Sequence, residues 1–137
     1  MSREHLRVIV VEDHADTAEA LRKFLTKIGY KVYVAPDLAS ARALAKAVEF
    51  DLLLSDLQLP DGTGWDLMEE LTAEGPVRGV AMSGFNTEAD VERSRTVGFL
   101  DHLAKPLRPE RLSAALRRAA GTTVSRRRLA AASGSRR

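Results

Sequence analysis

The chain of 137 residues contains no cysteine. Disulfides, thiol nucleophiles and cysteine-held zinc are thereby excluded together, and the absence fits a reducing cytoplasm. Aromatic residues make up only 5%, with a single Trp, which leaves no stacking set for single-stranded nucleic acid. No run approaches the roughly 20 apolar residues of a membrane-spanning helix. No apolar signal core follows Met1-Ser2-Arg3-Glu4-His5, so export is not expected and a cytoplasmic location is. Acid is missing from one end. Residues 111–137 hold eight arginines and no Asp or Glu, while residues 1–110 hold 13 Lys and Arg against all 19 acids. The formal net charge of +2 therefore hides an acidic body and a basic end. Binding of nucleic acid by the whole domain does not follow from it.

Hydrophobic residues at 45% and charged residues at 29% are ordinary for a globular protein. The length suits one domain with a core that needs no disulfide or metal staple. Leu6 to Val11 is apolar apart from Arg7 and reads as a strand buried on both faces. Ala18, Leu21, Leu25 and Ile28 then recur at helical spacing, and Gly29 closes that helix. The alternation repeats. Val32 to Ala35, Leu52 to Ser55, Val77 to Met82 and Phe99 to Leu103 read as strands. Helices are expected from Pro36-Asp37 through Val48, over Trp65 to Leu71, from Asn86 or Thr87 to about Thr96, and from Pro109 through Ala119. Gln58 to Gly64 reads as a turn-rich loop.

Five strand-helix units in succession argue for an α/β protein with a doubly wound parallel sheet and helices on both faces. Ligands of such sheets bind beyond the carboxyl ends of the strands. The residues placed there are Glu12 and Asp13, Asp56, Ser83 and Gly84, and Lys105. Three carboxylates in one crevice repel one another unless a cation intervenes. Magnesium prefers oxygen ligands and combines carboxylates with phosphate oxygens, and the lysine offers a further positive charge to the same anion. An aspartate nucleophile in that setting can form an acyl phosphate. The cluster is therefore suited to phosphoryl transfer onto a carboxylate, with Mg2+ as cofactor.

Over residues 6–119 the chain resembles a receiver domain of the two-component response-regulator family. Glu12-Asp13 matches the family's acidic pair, and Asp56-Leu57-Gln58-Leu59-Pro60-Asp61-Gly62-Thr63-Gly64 matches its phosphoacceptor loop. Ser83-Gly84 takes the hydroxyl position and the small residue after it, and Lys105-Pro106 matches the lysine and proline joined by a cis peptide. The resemblance implies a flavodoxin-like strand order 2-1-3-4-5 and Asp56 as the phosphoacceptor. It further implies that Asp13, Asp56 and the Gln58 carbonyl bind Mg2+, with Glu12 holding a metal-bound water. Lys105 would pair with Asp56 and then with the phosphoryl group, and the Ser83 hydroxyl would turn inward. The backbone N–H groups of Leu57 and Gly84 would donate to phosphoryl oxygens, and a larger side chain at 84 would crowd access. Where the family often has Tyr or Phe, three residues before the lysine, this chain has His102. That residue reads either as a half-buried packing residue or as a switch whose charge changes near pH 6.5.

The implied partners are a histidine kinase or histidine phosphotransfer protein as donor, and a downstream protein meeting the face of helix four, strand five and helix five. The implied role is that of a phosphoacceptor rather than an enzyme acting on others. Two alternatives stay open. An aspartyl-phosphate phosphatase of the haloacid-dehalogenase type would need a second aspartate where Gln58 stands. A relay receiver, similar to those ending hybrid kinases, would pass the phosphoryl group onward. His5 and His14 receive no role, Trp65 reads as core packing, and residues 120–137 read as a basic, solvated, disordered tail.

Overall fold

Strands that are apolar on both faces need cover on both sides, and the chain supplies it in alternation. The structure, a computed structural model, describes residues 5–122. In chain order the elements are β1 (Arg7–Val11), α1 (Ala15–Lys27), β2 (Lys31–Ala35), α2 (Leu38–Ala47), β3 (Leu52–Asp56), β4 (Gln58–Leu59), β5 (Gly62–Thr63), α3 (Gly64–Thr72), β6 (Gly79–Ser83), α4 (Glu88–Val97), β7 (Asp101–Ala104) and α5 (Pro109–Gly121). The five long strands pair in the order β2-β1-β3-β6-β7, all parallel. With β6 and β7 as fourth and fifth long strands, this is the expected 2-1-3-4-5 order. Alternate strand residues divide between two cores. Val8, Val10, Leu52, Leu54, Val80 and Met82 pack with Leu21 and Leu25 of α1 and Leu112 and Leu116 of α5. Ile9, Val11, Leu53 and Ala81 face the other way, onto Leu38 of α2 and Leu67 and Met68 of α3. Among the described residues, no helix is long and apolar enough to cross a membrane.

Four details differ from the sequence-based expectation. The turn-rich loop holds a small antiparallel hairpin, with Gln58 opposite Thr63 and Leu59 opposite Gly62. The fourth long strand begins at Gly79 rather than Val77, because a close approach selects glycine there. A Cβ at 79 would lie 3.0 Å from the Met68 methyl and 3.1 Å from the Phe99 ring. Phe99 consequently turns into the core, and the last strand starts at Asp101. Helix α5 runs through Gly121, so residues 120 and 121 complete a helix. The rest of the Arg-rich end, residues 123–137, lies outside the described residues.

Helix caps fix the loops around the crevice. Thr87 caps α4 in a capping box with Asp90, Thr63 caps α3, and Asp37 caps α2 through the Ser40 N–H. Helix α1 differs. Its N-cap is His14 without a side-chain bond, so Asp13 does not cap it and remains exposed. The N-terminus of α2 also receives help from the hairpin. Asp61 accepts from the Leu38 N–H at 2.8 Å and the Ala39 N–H at 3.2 Å, satisfying donors a helix leaves open. The Leu38 bond lowers the Asp61 pKa, burial opposes it, and the Ala39 bond and the Arg42 charge add to the lowering. A depressed carboxyl pKa stabilises the fold above the ordinary carboxylate value and loses that effect as pH falls through the folded value. Asp61→Ala is therefore expected to unfold at lower temperature than wild type at neutral pH, with the gap closing in acid. A gap independent of pH in thermal melts would refute this role.

Candidate functional site

Strand register brings the site together. Val11 is level with Ser55, Asp56 with Met82, and Ser83 with Ala104. Glu12, Asp56, Ser83 and Lys105 therefore emerge along one edge of the sheet. Glu12 and Asp56 are buried, which would set two carboxylates against each other in a poorly hydrated crevice. Lys105 resolves the conflict. Its Nζ donates to Asp56 Oδ2 at 2.7 Å and to Glu12 Oε1 at 2.9 Å. Burial by itself would lower the Lys105 pKa, but the hydrogen bonds and charges of Asp56 and Glu12 outweigh it, and the ammonium is held above its ordinary value. The Lys105–Pro106 peptide is cis, as the resemblance implies.

The other oxygens are also engaged. Asp56 Oδ1 accepts from the Gln58 N–H at 3.2 Å. Glu12 Oε2 accepts from the His14 N–H at 3.0 Å and lies 3.2 Å from His14 Nδ1, while Asp13 Oδ1 is 3.6 Å from that nitrogen. His14 thus joins Glu12 and Asp13 in a cluster whose potential ligand atoms all lie within 4.8 Å of one another. The sequence reading gave His14 no role, although its place directly after the acidic pair was a usable signal. The Leu57 N–H donates to the Met82 carbonyl at 3.2 Å, so in this arrangement Gln58 supplies the amide facing Asp56. Gly84 is exposed, and a Cβ there would meet nothing within 4 Å; the resting loop itself has room for alanine.

Ser83 is buried, and its Oγ accepts from the Phe85 N–H at 2.8 Å, so the hydroxyl is turned toward its own loop. His102 is half-buried, with Nδ1 2.8 Å from Ser94 Oγ and Nε2 2.8 Å from Asn86 Oδ1. Trp65 is more than packing, since its indole N–H donates to Ser94 Oγ at 2.9 Å and Arg93 stacks 4.2 Å above its ring.

The donor chemistry fits a hard divalent cation. Three carboxylates against one ammonium leave two negative charges at the crevice, and oxygen ligands are what magnesium and its relatives select. Glu12 and Asp13 stand together at one side. Asp56 is tied to Glu12 through the shared lysine.

Known proteins resemble this chain in sequence and in fold. The family described as response regulator receiver domain matches residues 8–117. The chain is 33% identical over 104 residues to the probable transcriptional regulatory protein SilR of Salmonella typhimurium, covering 74% of this chain and 45% of that protein. It is 36% identical over 117 residues to the aerobic respiration control sensor protein ArcB of Escherichia coli K12, covering 82% of this chain and 15% of that one. It thus spans less than half the length of either relative. A two-component response regulator from Clostridium difficile superposes with a TM-score of 0.81 at 23% identity, over 84% of this chain and 95% of that one, a likeness of fold. The non-phosphorylated HemR receiver domain of Leptospira biflexa gives 0.77 at 28% identity, over 85% and 95%.

Proposed function

Because this chain belongs to the response regulator receiver family, we propose that it takes a phosphoryl group onto Asp56 from the phosphohistidine of a histidine kinase or phosphotransfer protein. A carboxylate oxygen of Asp56 attacks the phosphorus. The new P–O bond forms as the donor's P–N bond breaks, and the electron pair leaves with the imidazole nitrogen. Lys105, 2.7 Å from Asp56 Oδ2, places its ammonium where negative charge gathers on the transferring oxygens. The amides of Gln58 and Gly84 are the nearby backbone donors, and the Leu57 amide would first have to leave the Met82 carbonyl. Glu12, Asp13, Asp56 and the Gln58 carbonyl would hold Mg2+, which supplies the positive charge that lets a phosphoryl dianion approach carboxylates. The observation that carries the reading is Lys105 bridging two buried carboxylates, Glu12 just beyond β1 and Asp56 at the end of β3.

The modification adds roughly −1.5 to −2 charge at one point. That draws Lys105 from Asp56 toward the phosphoryl oxygens and offers the Ser83 hydroxyl a stronger partner than the Phe85 amide. The response then spreads through Ser83 and His102 to the face of α4, β7 and α5, where a downstream protein docks. The domain turns over no substrate besides its own phosphoryl group, because Gln58 has no proton to give a leaving group as an aspartic acid would. Residues 6–119 form the receiver unit in this reading, which places the protein in the cytoplasm with its donor.

Incubation with acetyl phosphate and magnesium, followed by intact mass measurement, tests the proposal. Wild type is expected to gain one phosphate-mass adduct that Asp56→Asn lacks. No adduct on wild type, or an equal one on the variant, would overturn it.

A further inference from the structure

Helix α4 is anchored differently from the other helices. Ser94 is its one buried residue, whereas α1, α2, α3 and α5 each bury at least two apolar or small side chains. An element with so little apolar burial sits at the low-stability end of a fold, and its polar contacts decide where it rests.

Those contacts form one directed chain. The Ser83 carbonyl can only accept, so Asn86 turns its amide nitrogen to it, at 3.2 Å. Asn86 Oδ1 is left facing His102 Nε2, which must donate. In a neutral imidazole the other nitrogen is then an acceptor, so the Ser94 hydroxyl donates to Nδ1. The same hydroxyl oxygen accepts from the Trp65 indole, which can only donate. Trp65, Ser94, His102, Asn86 and the Ser83 carbonyl thus share a single polarity, running from α3 through α4 and β7 to the loop that leaves β6.

We propose that this chain is a latch on the β6–α4 loop, with Ser94 and Asn86 as its positioning residues, and that phosphorylation releases it and reports at Trp65. The inference rests on Asp56 being the acceptor. For the Ser83 hydroxyl to reach a phosphoryl oxygen it must leave the Phe85 N–H, which takes from residues 84–87 a contact that holds them and lets them move. Asn86 lies in that segment and His102 holds it. Once Asn86 moves, His102 loses its acceptor and is free to rotate. Ser94 and Trp65 then lose the partner that fixed them. The signalling surface therefore extends beyond α4, β7 and α5 to the α3–α4 edge, where Arg93 covers Trp65.

Trp65 is the chain's sole tryptophan, so its emission reads this edge alone. With acetyl phosphate and magnesium, wild type is expected to shift its emission maximum in step with the phosphate adduct measured by mass. Ser94→Ala, and separately Asn86→Ala on the exposed loop, are expected to take up phosphate while the emission response falls several-fold. Nitrogen-15 spectra of the histidine rings supply an independent signature, with His102 as the Nε2–H tautomer in wild type and a tautomer mixture in Ser94→Ala. An adduct on wild type without an emission shift overturns the latch and leaves the acceptor reading standing. An undiminished response in both variants, or an Nδ1–H tautomer in wild type, overturns it equally. No adduct on wild type overturns both.

Discussion

Lys105→Met is expected to lower stability by about 3 kcal/mol at neutral pH, the scale for removing one partner from a buried ion pair. The methionine fills similar volume but leaves the buried Glu12 and Asp56 carboxylates without the cation they share. The pH dependence has a definite sign. The folded-state pKa of Lys105 is raised, with the pull of Asp56 and Glu12 overcoming burial. Its stabilising effect is complete below the ordinary lysine pKa of about 10.4 and is lost only as pH rises through the higher folded value. The gap between wild type and variant in denaturant unfolding should accordingly hold through neutral pH and close in strong alkali. Added magnesium should narrow it at neutral pH, because a divalent ion supplies charge to the same carboxylates and stabilises what it binds. A gap below about 1 kcal/mol, the scale of an exposed ion pair, would contradict this description of the crevice.

A second large effect is expected at Gly64, where the space for a side chain is already taken. A Cβ there would lie 2.4 Å from the Asp56 carbonyl oxygen and 2.9 Å from Ser55 Oγ. Neither can yield easily. The carbonyl belongs to β3, and the Ser55 hydroxyl is buried and donates to that same oxygen at 2.8 Å. The Gly64 N–H is meanwhile tied to the Leu57 carbonyl at 3.0 Å. Gly64→Ala must therefore push the start of α3 away from the end of β3, at a cost of about 3 kcal/mol from overpacking. Since the displaced backbone is that of Asp56, phosphate uptake from acetyl phosphate should fall together with the unfolding midpoint. Gly121→Ala, at the exposed end of α5, is an informative contrast. No positive φ constrains that glycine and a Cβ there meets nothing within 4 Å, so both measurements should stay close to wild type. Equal behaviour of the two variants would refute the steric argument.

Much of the site was legible in the sequence because a parallel sheet converts chain order into position. Apolar runs ending at Glu12, Asp56, Ser83 and Lys105 place those residues along one edge, and the register confirms that placement. Apolar periodicity likewise marked both cores, since Leu21, Leu25, Leu112 and Leu116 on one side and Leu38 and Ala41 on the other lie at helical spacing. What escaped were contacts chosen by side-chain direction. Asp61 caps the N-terminus of α2 across 23 positions, and nothing local distinguishes it from any turn aspartate. His14 reaches back to Glu12 because the chain turns immediately after β1. The start of the last strand was misplaced because Phe99 is apolar for the sake of the core rather than the sheet. The chain from Trp65 to Asn86 joins α3, α4, β7 and a loop, and its residues carry no periodic pattern at all.

The claim on which the account turns is that Asp56, and no hydroxyl nearby, becomes an acyl phosphate. Hydride reduction after incubation with acetyl phosphate and magnesium, followed by peptide mapping, addresses it most directly, because hydride attacks an acyl phosphate but spares a phosphate ester. The expected result is a reduced side chain at position 56 alone, absent when magnesium is chelated. Phosphate that survives reduction on Ser83, or reduction spread over Glu12 and Asp13 as well, would contradict it.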